Sequence, residues 1–111
     1  MSPKGRVRYM RLLVFFDLPV GTAAQRKRYS QFRKYLVKDG FLMLQQSVYS
    51  KLVVNEAAAS GSIARMRKHR PSEGLVQVLK VTEKQYATMT YITGNEAVHD
   101  EVDTMEEFLV L

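Results

Sequence analysis

The sequence contains no cysteine, no long apolar run and no low-complexity tract. Without cysteine, disulfides and thiolate metal sites are excluded, and this composition is typical of a cytoplasmic protein. No apolar run approaches the roughly 18 residues that are needed to span a bilayer, and the basic N-terminus has no cleavable signal pattern. The 111 residues suit one domain with one core, and no repeat or linker divides them. We therefore expect a cytoplasmic protein that has no membrane partner.

Several motifs of known chemistry are also missing. The sequence has no His-Glu-x-x-His motif, no glycine-rich phosphate loop and no aromatic run of the kind that stacks RNA bases in RNA-recognition domains. The two histidines, His69 and His99, lie in a basic segment and in an acidic tail, where a solvated side chain is the simplest interpretation. Without these motifs, the sequence shows no obvious catalytic centre.

Charge is distributed very unevenly along the chain. Residues 1–70 carry 15 Lys/Arg and 3 Asp/Glu, a formal charge of +12, whereas residues 71–111 carry 2 and 8, a charge of −6. A solvated surface without a partner would account for a modest excess of positive charge. The clustering of the bases in the first part favours a polyanionic partner, nucleic acid above all.

The first strand is predicted from Arg8 to Asp17 and is apolar on both faces. Alternation places Leu13 and Phe15 on one face, and the other face carries Met10, Leu12, Val14 and Phe16. A central strand that is buried on both sides has this pattern. Asp17, at its end, is either a turn former or a metal ligand.

A capped basic helix follows the first strand. "TAAQ" is a capping box in which the side chains of Thr22 and Gln25 each accept from the other's backbone N–H, and Gly40 provides the stop. An apolar stripe should face the core: Gln25, Tyr29, Phe32 and Leu36. The outward side is heavily basic: Arg26, Lys27, Arg33, Lys34 and Lys38.

The segment Phe41–Val54 is too long for one strand, so two strands are predicted with a bend near Gln45–Ser47. Asn55 should cap a second helix, which Pro71 terminates. The bases at its end, Arg65, Arg67, Lys68 and Arg70, would also suit the helix dipole. A fourth strand is predicted over Gly74–Thr82, and a further strand over Ala87–Thr93.

The order β-α-β-β-α-β is that of the ferredoxin-like split βαβ fold, an α+β class with both helices on one face of an antiparallel sheet. The other face would be bare, although Leu13 and Phe15 point to it. Two sheets packed face to face would cover these side chains, so burial predicts a homodimer.

We divide the chain into a ferredoxin-like domain, residues 1–94, and an acidic tail, residues 95–111. The tail ends in the apolar strand-like segment "FLVL". Because a free apolar strand invites aggregation, we expect the terminal strand to pair with the partner's sheet edge by exchange within the dimer.

Three segments, "RLLVFFDLP", "GFLMLQQSVYSKL" and "GLVQVLKVTEKQYATM", resemble the small CRISPR-associated adaptation protein family, the partner of the CRISPR integrase in spacer acquisition. The resemblance runs from Tyr9 to Gly94 in the right order. "VTEKQYA" is similar to the version found beside type II effector nucleases.

The resemblance implies a ferredoxin-like homodimer that bridges integrase dimers and supports duplex DNA. It also implies a magnesium-dependent endonuclease activity, with Mg²⁺ or Mn²⁺ bound at the aspartate that ends the first strand. That position is Asp17 here, the candidate catalytic and metal-binding residue. A two-fold axis would bring two such carboxylates together.

Two hypotheses of different classes stay open. The first is a DNA-binding subunit of the spacer-acquisition complex, and the second is a stand-alone, toxin-like, metal-dependent endoribonuclease, with RNA in place of DNA. Excess positive charge favours the first. Its phosphate contacts would come from the outward bases of both helices: Arg26, Lys27, Arg33, Lys34, Lys38, Arg65, Arg67 and Lys68.

Overall fold

The computed structural model describes residues 9–94. Along the chain the elements are β1 (Met10–Asp17), α1 (Ala23–Lys38), β2 (Leu42–Gln45), β3 (Val48–Val53), α2 (Glu56–Lys68), β4 (Leu75–Thr82) and α3 (Glu83–Ala87). The strands form one sheet in the order β2-β3-β1-β4, and every neighbouring pair is antiparallel. This is the ferredoxin-like arrangement, so the predicted fold class is confirmed.

The strand β1 lies in the centre of the sheet, as its apolar sequence predicts. It pairs with β3 on one side and with β4 on the other, and Val14 stands opposite both Tyr49 and Val78. β4 and β2 are therefore the two edge strands.

The predicted capping box at the start of α1 is present. The backbone N–H of Gln25 donates to the Thr22 hydroxyl at 3.1 Å, and the Thr22 N–H donates to the Gln25 side-chain oxygen at 3.0 Å. Gly40, with φ +100°, ends the helix because other residues rarely adopt this left-handed conformation.

The β2–β3 hairpin and the start of α2 also follow the sequence pattern. The chain turns at residues 46 and 47, inside the predicted polar trio, and the register shifts between Met43 and Gln45. Asn55 caps α2 through its side-chain oxygen, which accepts from the Ala58 N–H at 2.7 Å.

The core lies between the two long helices and one face of the sheet. Leu12, Val14 and Leu36 are fully buried there, and Phe16 packs edge-on against Phe32 with ring centroids 5.3 Å apart. The same alternation of β1 leaves Phe15 on the opposite face, which neither of the two long helices among residues 9–94 covers.

The strand predicted over Ala87–Thr93 is wrong. Thr82 and Gln85 form a second capping box, at 2.9 Å in both directions, and this box starts the short helix α3. Residues 88–94 pair with no strand within the described part of the chain. The predicted terminal strand, and the rest of the acidic tail, lie outside the described residues.

The helix α3 is held to the sheet by an arginine of β1. Arg11 forms a two-pronged ion pair with Glu83, at 2.7 and 3.2 Å, and its guanidinium lies 4.5 Å from the centroid of the Tyr86 ring. These contacts place α3 over one end of the otherwise bare face. No helix among residues 9–94 is both long and apolar enough to cross a bilayer.

Candidate metal centre and nucleic-acid interface

Asp17 is the last residue of β1 and lies on the sheet face opposite the helices. It is two positions from Phe15 and four from Leu13, so all three side chains share that face. Asp17 is exposed. Leu75, at the start of β4, is its partner across the strands. Gly74 permits this close approach, since a Cβ there would lie 2.8 Å from the Asp17 carbonyl oxygen.

One copy of Asp17 is a poor donor set for a divalent cation. Among residues 9–94, its carboxylate joins none of the ion pairs or side-chain hydrogen bonds, and no group of three or more His, Asp or Glu side chains could hold a metal. Mg²⁺ requires near-octahedral oxygen coordination and usually combines one or two carboxylates with water. Within residues 9–94, one chain therefore offers no cluster of three such ligands at Asp17.

The sheet face that carries Asp17 is apolar and largely exposed. Phe15 is 36% exposed, Leu52 45%, Leu79 52% and Leu75 54%, although all four belong to regular strands. Leu13, on the same face, is buried at 8%. Exposed apolar side chains grouped on one face are typical of surfaces that associate with another molecule.

The five bases predicted on α1 are all exposed. Three of them, Arg33, Lys34 and Lys38, line a shallow groove along the outer side of the helix. Arg33 is steadied by a 3.1 Å hydrogen bond from its Nε to the Tyr49 hydroxyl, which raises the pKa of the guanidinium. Arg26 donates to the carbonyl oxygen of Val20 at 3.1 Å. Neither contact neutralises a positive charge, so this side of α1 is a basic surface.

The bases of α2 divide differently. Arg65 is engaged with Asp39, Nε to Oδ1 at 2.7 Å, and it shares this carboxylate with Lys51. Arg67 lines a second groove, between α2 and β4, which shares no residue with the groove on α1. The structure therefore does not bring the eight predicted phosphate ligands into one groove within a single chain.

Asp39 is the centre of a polar network under the helices. Besides Arg65, it receives hydrogen bonds from Lys51 at 3.2 Å and from the Ser62 hydroxyl at 3.0 Å. Burial alone would raise the pKa of Asp39, but the hydrogen bonds from Arg65, Lys51 and Ser62 bring it below its ordinary value. This network joins the end of α1 to α2 and β3.

A further cluster was missed by the sequence analysis. Arg28 pairs with Glu73 at 2.9 Å, and the rings of Tyr35 and His69 stack with centroids 4.2 Å apart. Arg28, Tyr35, His69 and Arg70 line one groove between α1 and the end of α2. Only the alternation of aromatic and basic residues around these positions could have indicated it, because the contacts are made between two helices.

The fold and these surfaces define a small ferredoxin-like protein with basic helices, a bare apolar sheet face and an exposed carboxylate at the end of the central strand. The family model for CRISPR associated protein Cas2 matches residues 10–89. The chain belongs to the Cas2 family, which confirms the family resemblance of the sequence.

Similar proteins support this assignment. A Treponema denticola protein, named CRISPR-associated endoribonuclease Cas2, is 53% identical over 102 residues, which are 92% of this chain and 100% of that protein. A protein of the same name from Streptococcus mutans is 48% identical over 85 residues, 77% of this chain and 78% of the relative. The crystal structure of Streptococcus pyogenes Cas2 superposes with a TM-score of 0.58 at 22% identity, covering 76% of this chain and 99% of that one. This last likeness supports the fold.

Proposed function

We propose that this chain is a subunit of the CRISPR spacer-acquisition complex, in which a homodimer bridges integrase dimers and binds duplex DNA. The proposal is supported by membership of the Cas2 family and by the separation of two surfaces. The bases lie on the helical side, whereas the bare apolar face lies on the other side of the sheet. Self-association through the apolar face would leave the basic side of each copy free for DNA.

The homodimer is proposed to form by packing two bare sheet faces against each other. Phe15, Leu75 and Leu79 would then leave water, and each Å² of apolar surface buried contributes about 25 cal/mol. Asp17 lies beside Leu75 on this face, so a two-fold axis that passes near this end of β1 would place the two Asp17 carboxylates near each other.

Asp17 is proposed to bind Mg²⁺ or Mn²⁺ only in the dimer. Two facing carboxylates are hard oxygen donors, and their mutual repulsion would be relieved by a divalent cation. A bound cation would supply Lewis acidity toward a phosphodiester and its attacking water. The role of this chain is to hold the carboxylate at a fixed point, which the β1–β4 pairing at Asp17 and Leu75 provides.

The second candidate is a stand-alone metal-dependent endoribonuclease. Two observations favour it: relatives such as the Treponema denticola protein are named endoribonucleases, and Asp17 is exposed. This function needs the paired carboxylates but not the basic outer side of α1. The two functions can reside in one dimer.

The nuclease part is tested with Asp17→Asn, which keeps the size of the side chain and removes its charge. We expect cleavage of RNA and of duplex DNA in Mg²⁺ to be lost, with the melting temperature unchanged. Glu56→Gln is the matched control, since Glu56 is an exposed carboxylate on α2, away from the bare face. If Asp17→Asn cleaves at the wild-type rate and EDTA stops both proteins, another site is responsible.

The DNA-binding part is tested by salt dependence. Binding through phosphates should weaken with a slope of about −0.9 in log K against log salt for each phosphate contacted. Lys34→Ala should reduce this slope by about one contact, whereas Lys84→Ala, an equal loss of charge on α3, should leave it unchanged. A flat salt response of the wild-type protein would contradict phosphate binding.

A further inference from the structure

We propose that the groove between α1 and the C-terminal end of α2 binds an unpaired nucleotide of a nucleic-acid strand, with the base stacked on His69 and the phosphate held by Arg70 and Arg28. The groove is separate from the outer side of α1, which is the surface proposed to bind duplex DNA. The two proposals can therefore fail independently.

The stacking surface is the end of an aromatic row that runs from the core outward. Phe32 is buried, its ring lies 6.2 Å from that of Tyr35, and the Tyr35 ring lies 4.2 Å from that of His69 at an interplanar angle of 12°. His69 is exposed. The row therefore presents an aromatic ring that is supported from beneath, and a base can continue such a stack.

The orientation of His69 is fixed by its own hydrogen bond. Its Nδ1 lies 2.9 Å from the carbonyl oxygen of Arg65. A carbonyl oxygen can only accept, so Nδ1 carries the proton in this contact. His69 also caps α2, where its backbone N–H donates to the carbonyls of Arg65 and Met66. The ring is thus held in place before any ligand arrives.

The groove also has the charge that a phosphate requires. Arg70 is exposed, and its one hydrogen bond in the described structure is to the carbonyl oxygen of Arg67 at 3.3 Å, so its charge is unmatched there. Arg28 is paired with Glu73, which also accepts from Gln25, so a phosphate has to displace this carboxylate before Arg28 can bind it. Arg70 is therefore the principal phosphate ligand, and Arg28 becomes a second one when Glu73 is displaced.

The size of the groove and the polar groups in and beneath it suit one nucleotide. Its volume is about 350 Å³, within the range of about 300–1,000 Å³ for small-ligand pockets. Gln31, on the α1 side, offers an amide that can donate to and accept from a base edge. The Tyr35 hydroxyl is buried and has no hydrogen-bond partner within residues 9–94, which is uncommon for a buried polar group.

The base must be unpaired because a base inside a duplex is already stacked on both faces. Stacking on an aromatic side chain depends little on which base is present, whereas it requires a free ring face. The ligand is therefore a single-stranded segment or the end of a frayed strand. The same chemistry would be offered by a free mononucleotide, which the experiment distinguishes.

The test uses the full chain and compares a short single-stranded oligoadenylate with an abasic strand of equal length and charge, by fluorescence anisotropy. His69→Leu keeps Tyr35 covered but removes the aromatic face, and His69→Phe restores it. We expect His69→Leu to weaken binding of the oligoadenylate about ten-fold, within the range known for base stacking, and His69→Phe to bind nearly as wild type. Binding of the abasic strand should be unaffected by either change.

Arg70→Ala should weaken both strands equally, whereas Lys84→Ala, the matched loss of charge on α3, should weaken neither by as much. Wild-type affinity of His69→Leu for the oligoadenylate, or an equal loss for the abasic strand, would overturn the stacking site. Displacement of the strand by adenosine monophosphate at comparable concentration would overturn its assignment to a strand in favour of a free nucleotide. Melting temperatures of all variants separate these outcomes from unfolding.

Discussion

The two faces of the same sheet differ sharply. On the helix side, Leu12 and Val14 of β1 are fully buried, whereas Phe15, between Val14 and Phe16, is 36% exposed on the other side. The neighbouring strand β4 shows the same division, since Val78 packs against the core while Leu79 is 52% exposed. β1 is apolar on both faces, but among residues 9–94 the helices α1 and α2 cover only one of them, and α3 lies over one end of the other.

In our proposal, the helix face supports folding of the single chain, and the bare face is the surface that associates. The helix face has a complete core and needs no partner to exclude water. The opposite face ends at Asp17, the residue that we propose binds a metal together with its copy in a second chain. Covering the apolar face and completing the carboxylate site are therefore one event in the proposed dimer.

The largest effect is expected on the helix face. Leu12→Ala should destabilise the fold by about 2–5 kcal/mol, because Leu12 is fully buried and the cavity it leaves cannot close. Urea unfolding monitored by circular dichroism measures this. Leu79→Ala is the matched control on the same sheet, and it should cost less than half as much at dilutions where the chain is monomeric. Equal losses at the two positions would contradict the division between the faces.

On the bare face, a charge should affect association rather than folding. Leu79→Lys should convert the dimer to a monomer, since the ammonium group would have to lose its water in the interface, while the secondary structure is retained. Sedimentation velocity gives the mass. Val37→Lys, at an exposed position of α1 on the other side of the sheet, serves as the control for added charge. A Leu79→Lys protein that stays dimeric would place the interface elsewhere.

A smaller effect is expected from the polar network beneath the helices. The folded pKa of Asp39 is lowered, so its stabilisation is present above the unfolded value of about 3.9 and is lost as the pH falls through the lower folded value. Asp39→Asn should cost about 1–3 kcal/mol at neutral pH. The urea midpoint of this variant should also decrease less than that of the wild type as the pH is lowered. If the urea midpoint of Asp39→Asn falls with decreasing pH as steeply as that of the wild type, other carboxylates cause this loss of stability.

Local sequence rules accounted for most of the fold. Alternation located β1, the capping box at Thr22 and Gln25 located α1, and the polar trio located the turn between β2 and β3. These features depend on residues that are close in sequence. The bare face was also predicted, because β1 is apolar on both sides while the fold places helices on only one.

The errors have physical causes. The T-x-x-Q box at Thr82 and Gln85 is the same signal as the one before α1, but the sequence analysis used only the first box and predicted a strand over Ala87–Thr93. The pairing of Arg65 with Asp39 and the stacking of His69 on Tyr35 join separate helices. No local pattern predicts such tertiary contacts. Asp17 was located correctly at the strand end, whereas its role as a metal ligand stays a prediction.

The most direct test of the paired Asp17 site uses the absence of cysteine from the chain. Asp17→Cys introduces one thiol on the bare face, and Lys34→Cys introduces one on the outer side of α1 as a matched control. With a short bis-maleimide reagent, the account predicts rapid cross-linking of Asp17→Cys into a covalent dimer and little cross-linking of Lys34→Cys. Cross-linking of Lys34→Cys with Asp17→Cys remaining monomeric would contradict the face-to-face dimer and the paired carboxylates together.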